Sequence, residues 1–229
     1  MKFLIGLTTL LALSFSAHAE LSPEKQELKA EIINIATENT NNIDNRIEVR
    51  QVLDQKIAEL TKGLPKVDEK RWAKFSPGSW KQVWADEQNN GDAPIAQNFD
   101  RIFQYVTSEG RAVNLGERIF PDGTRVTFAL EAIGTVKGDT QNTKIVSGFS
   151  KTEGLYSGMS IEYLSQDILS QTLEIFTPAQ LGTFPKGPIN AESDLKFSFL
   201  DADLKVGTAP NVFTGESEMF VLIRQDYVR

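Results

Sequence analysis

Arg118-Ile119-Phe120-Pro121-Asp122-Gly123-Thr124-Arg125-Val126-Thr127-Phe128-Ala129-Leu130 is the stretch on which the fold turns. Proline presets φ for a turn, aspartate bonds its own backbone and glycine tolerates positive φ, so Pro121-Asp122-Gly123 marks a hairpin. The flanking runs are short and rich in β-formers, as two antiparallel strands require. The same two-residue period appears upstream in Trp80-Lys81-Gln82-Val83-Trp84 and in residues 101–106. Downstream it suggests strands at 132–136, 143–151, 195–200, 204–206 and 219–224. Gly91-Asp92, Gly138-Asp139 and residues 207–210 separate them. Eight or so short strands with no long helices between them predict an antiparallel sandwich or closed barrel.

The period is different before Pro65. Ser22-Pro23-Glu24 supplies an N-cap, a proline for the first helical position and an acid for the first turn. Leu28, Ile32, Ile35 and Ala36 then recur at helical spacing. Asn-rich residues 37–42 break the pattern, which resumes from Asp44 with Val49, Leu53, Ile57 and Leu60 on one face. Gly63 and Pro65 end it. The expectation is mainly β with N-terminal helices (α+β): a two-helix segment over 20–63, then a barrel domain of about eight strands over 64–229. Residues 155–190 fit both a short helix and a strand.

The first residues read as an export signal. Lys2 opens an apolar run over 3–15, and Ala17-His18-Ala19 is a small-x-small cleavage site, giving a signal peptide over 1–19 and a periplasmic location. The 229 residues contain no cysteine, and the single histidine, His18, lies in that leader. A Ser-His-Asp triad, a Cys-His pair, a zinc site and thiol chemistry are thereby excluded from the processed chain. A net charge of −7 argues against nucleic-acid binding, which needs a basic surface. No later apolar run is long enough to span a bilayer as a helix. No cofactor or metal is expected.

Catalytic motifs are few. Ser22-Pro23-Glu24-Lys25 matches Ser-x-x-Lys but reads better as a helix cap. Gly148-Phe149-Ser150-Lys151-Thr152 lacks the second glycine of a nucleophile elbow. Asp201 and Asp203, with Glu216 and Glu218, could serve a carboxylate-dependent hydrolase or a cation, although turns and strand edges ordinarily favour such residues.

Gly78-Ser79-Trp80, at the first strand after a helical segment, matches the short Gly-x-Trp motif of lipocalins. Residues 199–206, Phe-Leu-Asp-Ala-Asp-Leu-Lys-Val, followed by Met219-Phe220-Val221-Leu222, resemble the C-terminal signature of the plastid lipid-associated protein (fibrillin) family. Lys205 stands where that family has Arg, and Trp84 where it has Tyr. The resemblance implies a lipocalin-like antiparallel β-barrel whose Gly lets the chain turn in and whose Trp plugs the closed end. It also implies that a late arginine, here Arg224, lies across Trp80 in a cation–π contact of roughly 0.5–2 kcal/mol.

Such a barrel has room for side chains or one small ligand. The expected ligand is a lipophilic or amphipathic small molecule, a lipid or isoprenoid. The expected binding residues are Trp80, Trp84, Phe128, Phe197, Phe199, Phe220 and Arg224. Alternation places Trp80, Gln82 and Trp84 on one face, Leu195, Phe197 and Phe199 on another, and Phe220, Leu222 and Arg224 on a third. Arg224 would orient Trp80 or meet an anionic headgroup. The chain is expected to be a binding protein, not an enzyme. The rival reading is an envelope interaction module with a filled barrel, which meets a protein partner through its helices.

Overall fold

The computed structural model describes residues 21–40, 44–86, 98–119, 125–152, 189–210 and 215–225. Helices α1 (Pro23–Glu38), α2 (Arg46–Thr61) and α3 (Glu69–Phe75) precede strands β1 (Gly78–Ala85), β2 (Asn98–Val106), β3 (Arg111–Ile119), β4 (Arg125–Lys137), β5 (Thr140–Thr152), β6 (Glu192–Leu200), β7 (Leu204–Pro210) and β8 (Ser217–Arg224). Each strand pairs antiparallel with the next, and β8 returns to β1, closing an eight-stranded up-and-down barrel. This is the predicted mainly-β fold with N-terminal helices.

The hairpin logic holds on both sides of the opening stretch. β3 and β4 pair from Ile119–Arg125 to Arg111–Ile133, while residues 120–124 lie outside the described residues. The strands expected on either side of Glu131 form one strand of 13 residues, β4. Gly138, at φ 64°, turns it into β5. The ambiguous segment 155–190 falls almost wholly outside the described residues.

Both expected helices form where their apolar stripes lie. Ser22 caps α1, its hydroxyl accepting from Lys25 N, and Gly63 follows α2 at φ 76°. Ile32 and Ala36 of α1 meet Val49, Leu53, Ile57 and Leu60 of α2 in one core with Val83, Trp84, Phe199, Leu204, Val206, Met219 and Val221. The helical hairpin thus lies against the outer wall formed by β1, β8, β7 and β6. Removing so much apolar surface from water is what binds it there.

A third helix, α3, was not legible in the sequence. Its seven residues are too short to show a helical period. It is started by Asp68, whose carboxylate accepts from Arg71 N at 2.8 Å. It closes one end of the barrel. Trp72 joins Trp80, Val106, Ala112, Phe197, Leu200 and Leu222 in a second core inside the wall. Trp72 Nε1 donates to Gln141 Oε1, and Gly138 N donates to Glu69 Oε1.

Candidate functional site

The site is the barrel interior, and its floor is built around Trp80. This indole is fully buried, and its Nε1 donates to the Ser76 carbonyl at 2.8 Å. Trp80 is paired with Arg224 across β1 and β8, which puts both side chains on the same inward face. The Arg224 guanidinium lies 3.9 Å from the ring centroid, as the resemblance implied. Its nitrogens donate to the carbonyls of Ala202 (Nε, 2.8 Å), Pro77 (Nη1, 2.7 Å) and Phe75 (Nη2, 2.6 Å). Arg224 is therefore committed to the floor, tying β8 to the α3–β1 junction and the β6–β7 turn. It orients Trp80 and does not present itself to a headgroup.

Gly78 is required by this arrangement. Its φ is 116°, and a Cβ there would stand 2.4 Å from Arg224 Nη1. The glycine of Gly-x-Trp makes space for the cation that holds the tryptophan.

A second cation meets the same ring. Lys205 Nζ sits 4.4 Å from the Trp80 centroid and is fully enclosed. It reaches from β7 across the interior to β2, donating to Gln104 Oε1 at 2.9 Å, and lies 3.4 Å from Ser76 Oγ. Burial, with the Arg224 guanidinium nearby, pushes its amine well below the usual lysine range. Among the described residues no carboxylate pairs with it.

Above the floor one row crosses the wall: Trp80 opposes Gln104, Gln104 opposes Asn114, Asn114 opposes Leu130 and Leu130 opposes Gly148. Gln104 Nε2 donates to Asn114 Oδ1 at 3.0 Å. Gln104, Asn114 and Leu130 point inward yet stay only half-buried, as does Ile102 on the same face. Each keeps some accessible surface, unlike the enclosed Trp80 and Lys205 of the floor.

Two expected facings are corrected. Trp84 opposes Val221 after a register shift between Gln82 and Trp84, and it lies in the helix-facing core with the Arg46 guanidinium 4.3 Å from its ring. Phe199 opposes Val206 after a matching shift beyond Phe197, and it too joins the helix-facing core. A bulge inserts one residue, and side chains alternate with period two, so everything beyond it changes face. Trp80 and Trp84 therefore do not share a face, nor do Phe197 and Phe199.

Phe197 and Phe220 point inward and meet edge to face, centroids 6.0 Å apart, with Phe220 lying over the backbone of Gly207. The expected face of Phe220, Leu222 and Arg224 stands as read. Phe128 belongs to β4, but its side chain lies outside the described residues.

The acidic pair that could have served hydrolysis has a different occupation. Lys29 Nζ donates to Asp201 Oδ2 and Asp203 Oδ2, both at 2.7 Å, while Asp201 Oδ1 accepts from the backbone N–H groups of Asp203 and Leu204. The pair anchors α1 to the β6–β7 turn. No group of carboxylates able to hold a metal occurs among the described residues. No described helix is long and apolar enough to cross a membrane.

Reading the sequence missed Lys205, Gln104 and Asn114. The available signal was Lys205 itself, a charge between Leu204 and Val206, both outward and both covered by the helical hairpin. A strand covered on its outer face must turn its alternate residue inward, whatever that residue is. No protein-family model and no curated protein matches this sequence.

Proposed function

We propose that the protein is an exported, non-enzymatic carrier that holds one lipophilic or amphipathic small molecule in the barrel lumen. The observation that carries this reading is the row of inward-facing residues, Gln104, Asn114 and Leu130, that keep accessible surface inside a closed wall. A barrel of eight strands is wide enough for one small ligand, and an apolar lining with a few polar groups suits an amphipathic one. Ile102, Leu130, Phe197 and Phe220 supply the apolar part. The Gly78-Ser79-Trp80 and 199–206 resemblances to lipocalins and plastid lipid-associated proteins favour the same class of ligand.

Native mass spectrometry of the purified chain, before and after exposure to a lipid extract, tests this directly. The expected result is one bound lipid or isoprenoid per chain. A mass that never shifts would overturn the reading and leave the helical hairpin as the functional surface.

A further inference from the structure

Among the described residues, Lys205 is an interior charge that the floor does not explain. Arg224 already holds Trp80 and is tied down by three backbone carbonyls. Lys205 adds a second cation to the same enclosed space, with repulsion from the first. A buried ammonium is costly unless an anion faces it. The groups facing Nζ are neutral: the Gln104 amide from β2, the Ser76 hydroxyl from the α3–β1 junction and the Trp80 indole from β1, with Arg224 of β8 as the nearby charge. Leu200 and Leu222, the cross-strand neighbours of Lys205 on β6 and β8, are apolar.

We propose that the lumen selects amphipathic ligands with a singly charged anionic head, of the carboxylate class, and that this head seats against Lys205 Nζ with the tail toward the open end. The proposal rests on the lumen reading above. The Gln104 Oε1 atom, 2.9 Å from Nζ, holds the place a carboxylate oxygen would take. Gln104 is half-buried where Lys205 is fully enclosed, so an incoming head would reach Lys205 by displacing that neutral acceptor. The Gln104 and Asn114 amides then remain alongside to donate to the second carboxylate oxygen. One lysine matches one negative charge. A phosphate monoester would bring nearly two, and among the described residues the other cation at the floor, Arg224, already donates to three backbone carbonyls.

The test compares palmitate, hexadecanol and hexadecyl phosphate on the full chain and on Lys205→Met. The intact protein should bind palmitate roughly tenfold or more tightly than the alcohol, because a charge-assisted hydrogen bond replaces a neutral one. It should also bind palmitate more tightly than the phosphate. Lys205→Met should lose the preference for the acid while keeping the alcohol. Equal binding of acid and alcohol by the intact protein, or an undiminished preference in Lys205→Met, overturns the anionic-head assignment and leaves the lumen reading standing. Binding of none of the three overturns both. A tighter grip on the phosphate overturns the single-charge assignment. Should Lys205→Met fail to fold, a crystal structure of the intact protein with palmitate decides the matter. A carboxylate within hydrogen-bond distance of Lys205 Nζ supports the proposal, and one at the open end overturns it.

Discussion

At the scale of single residues, the floor depends on one absent side chain and one displaced charge. Gly78 combines a left-handed φ with a position where any Cβ would collide with Arg224 Nη1. Gly78→Ala should therefore cost about 2–4 kcal/mol, from backbone strain and a displaced guanidinium together. Urea denaturation measures this, and a loss below the usual scatter of surface substitutions would contradict the clash. Lys205 works in the opposite direction. Its folded-state amine binds its proton less readily than the unfolded value of 10.5. Between that depressed value and 10.5 the unfolded chain therefore holds more protons. Stability contributed by this group is fully present above 10.5 and is lost as pH falls through the folded value. Lys205→Met removes the penalty and should raise stability near neutral pH by more than about 1 kcal/mol. The difference between variant and parent should shrink as the pH approaches 10.5. A constant difference across that range would show that desolvation of the charge is not the cause.

At the scale of elements, the bulges in β1 and β6 decide what each aromatic does. They let one strand serve two cores: Trp80 and Phe197 inside, Trp84 and Phe199 against the helices. The helices also satisfy the strand at its irregularity. Thr40 Oγ1 donates to the Val83 carbonyl at 2.6 Å, and Arg46 Nη2 to the Ala85 carbonyl at 2.6 Å. Lys25 returns the favour within the hairpin, donating to the carbonyls of Leu60 and Lys62 at the end of α2. Trp84→Ala should consequently destabilise the chain by about 3–5 kcal/mol while leaving ligand affinity in the surviving folded protein unchanged. Thermal melts and ligand titration of the same sample separate the two effects. Weakened affinity with intact stability would return Trp84 to the lumen.

At the scale of the whole molecule, barrel class and helical hairpin were legible because both rest on periodicity. Val49, Leu53, Ile57 and Leu60 repeat at the spacing of a helix, and all are buried. Residues 118–130 announce a hairpin, and β3 and β4 pair around it. The candidate-site residues were less legible, since facing is inherited along a strand and a single extra residue reverses it. Nothing in Gln82-Val83-Trp84 or in Phe197-Ser198-Phe199 marks where the extra residue falls; the partner strand fixes it. Polar residues on a strand, such as Gln104 and Asn114, ordinarily read as outward. Their inward facing comes from register alone, because Gln104 pairs with the inward Trp80 and Asn114 with Gln104. The proposed ligand lumen carries its own prediction. Leu130→Trp places a bulky ring in the row above the floor, and it should abolish ligand uptake while the melt stays within about 1–3 kcal/mol of the parent, the usual cost of overpacking. Retained uptake at full stoichiometry would mean that the ligand sits elsewhere.

The seam between β1 and β8 carries one more consequence. The two strands that complete the cylinder stand more than half the chain apart, and Trp80 meets Arg224 only when the last strand is in place. Such long-range pairing is slow, because the entropy of joining distant segments is lost before any contact repays it. A ribosome-bound chain that has not yet released residues 217–224 has two raw edges, on β1 and β7, and an unanchored Trp80. The cylinder therefore cannot close until residues 217–224 have left the ribosome. Its final staple waits for β8, and the seven strands before it stay open until that strand is free to pair.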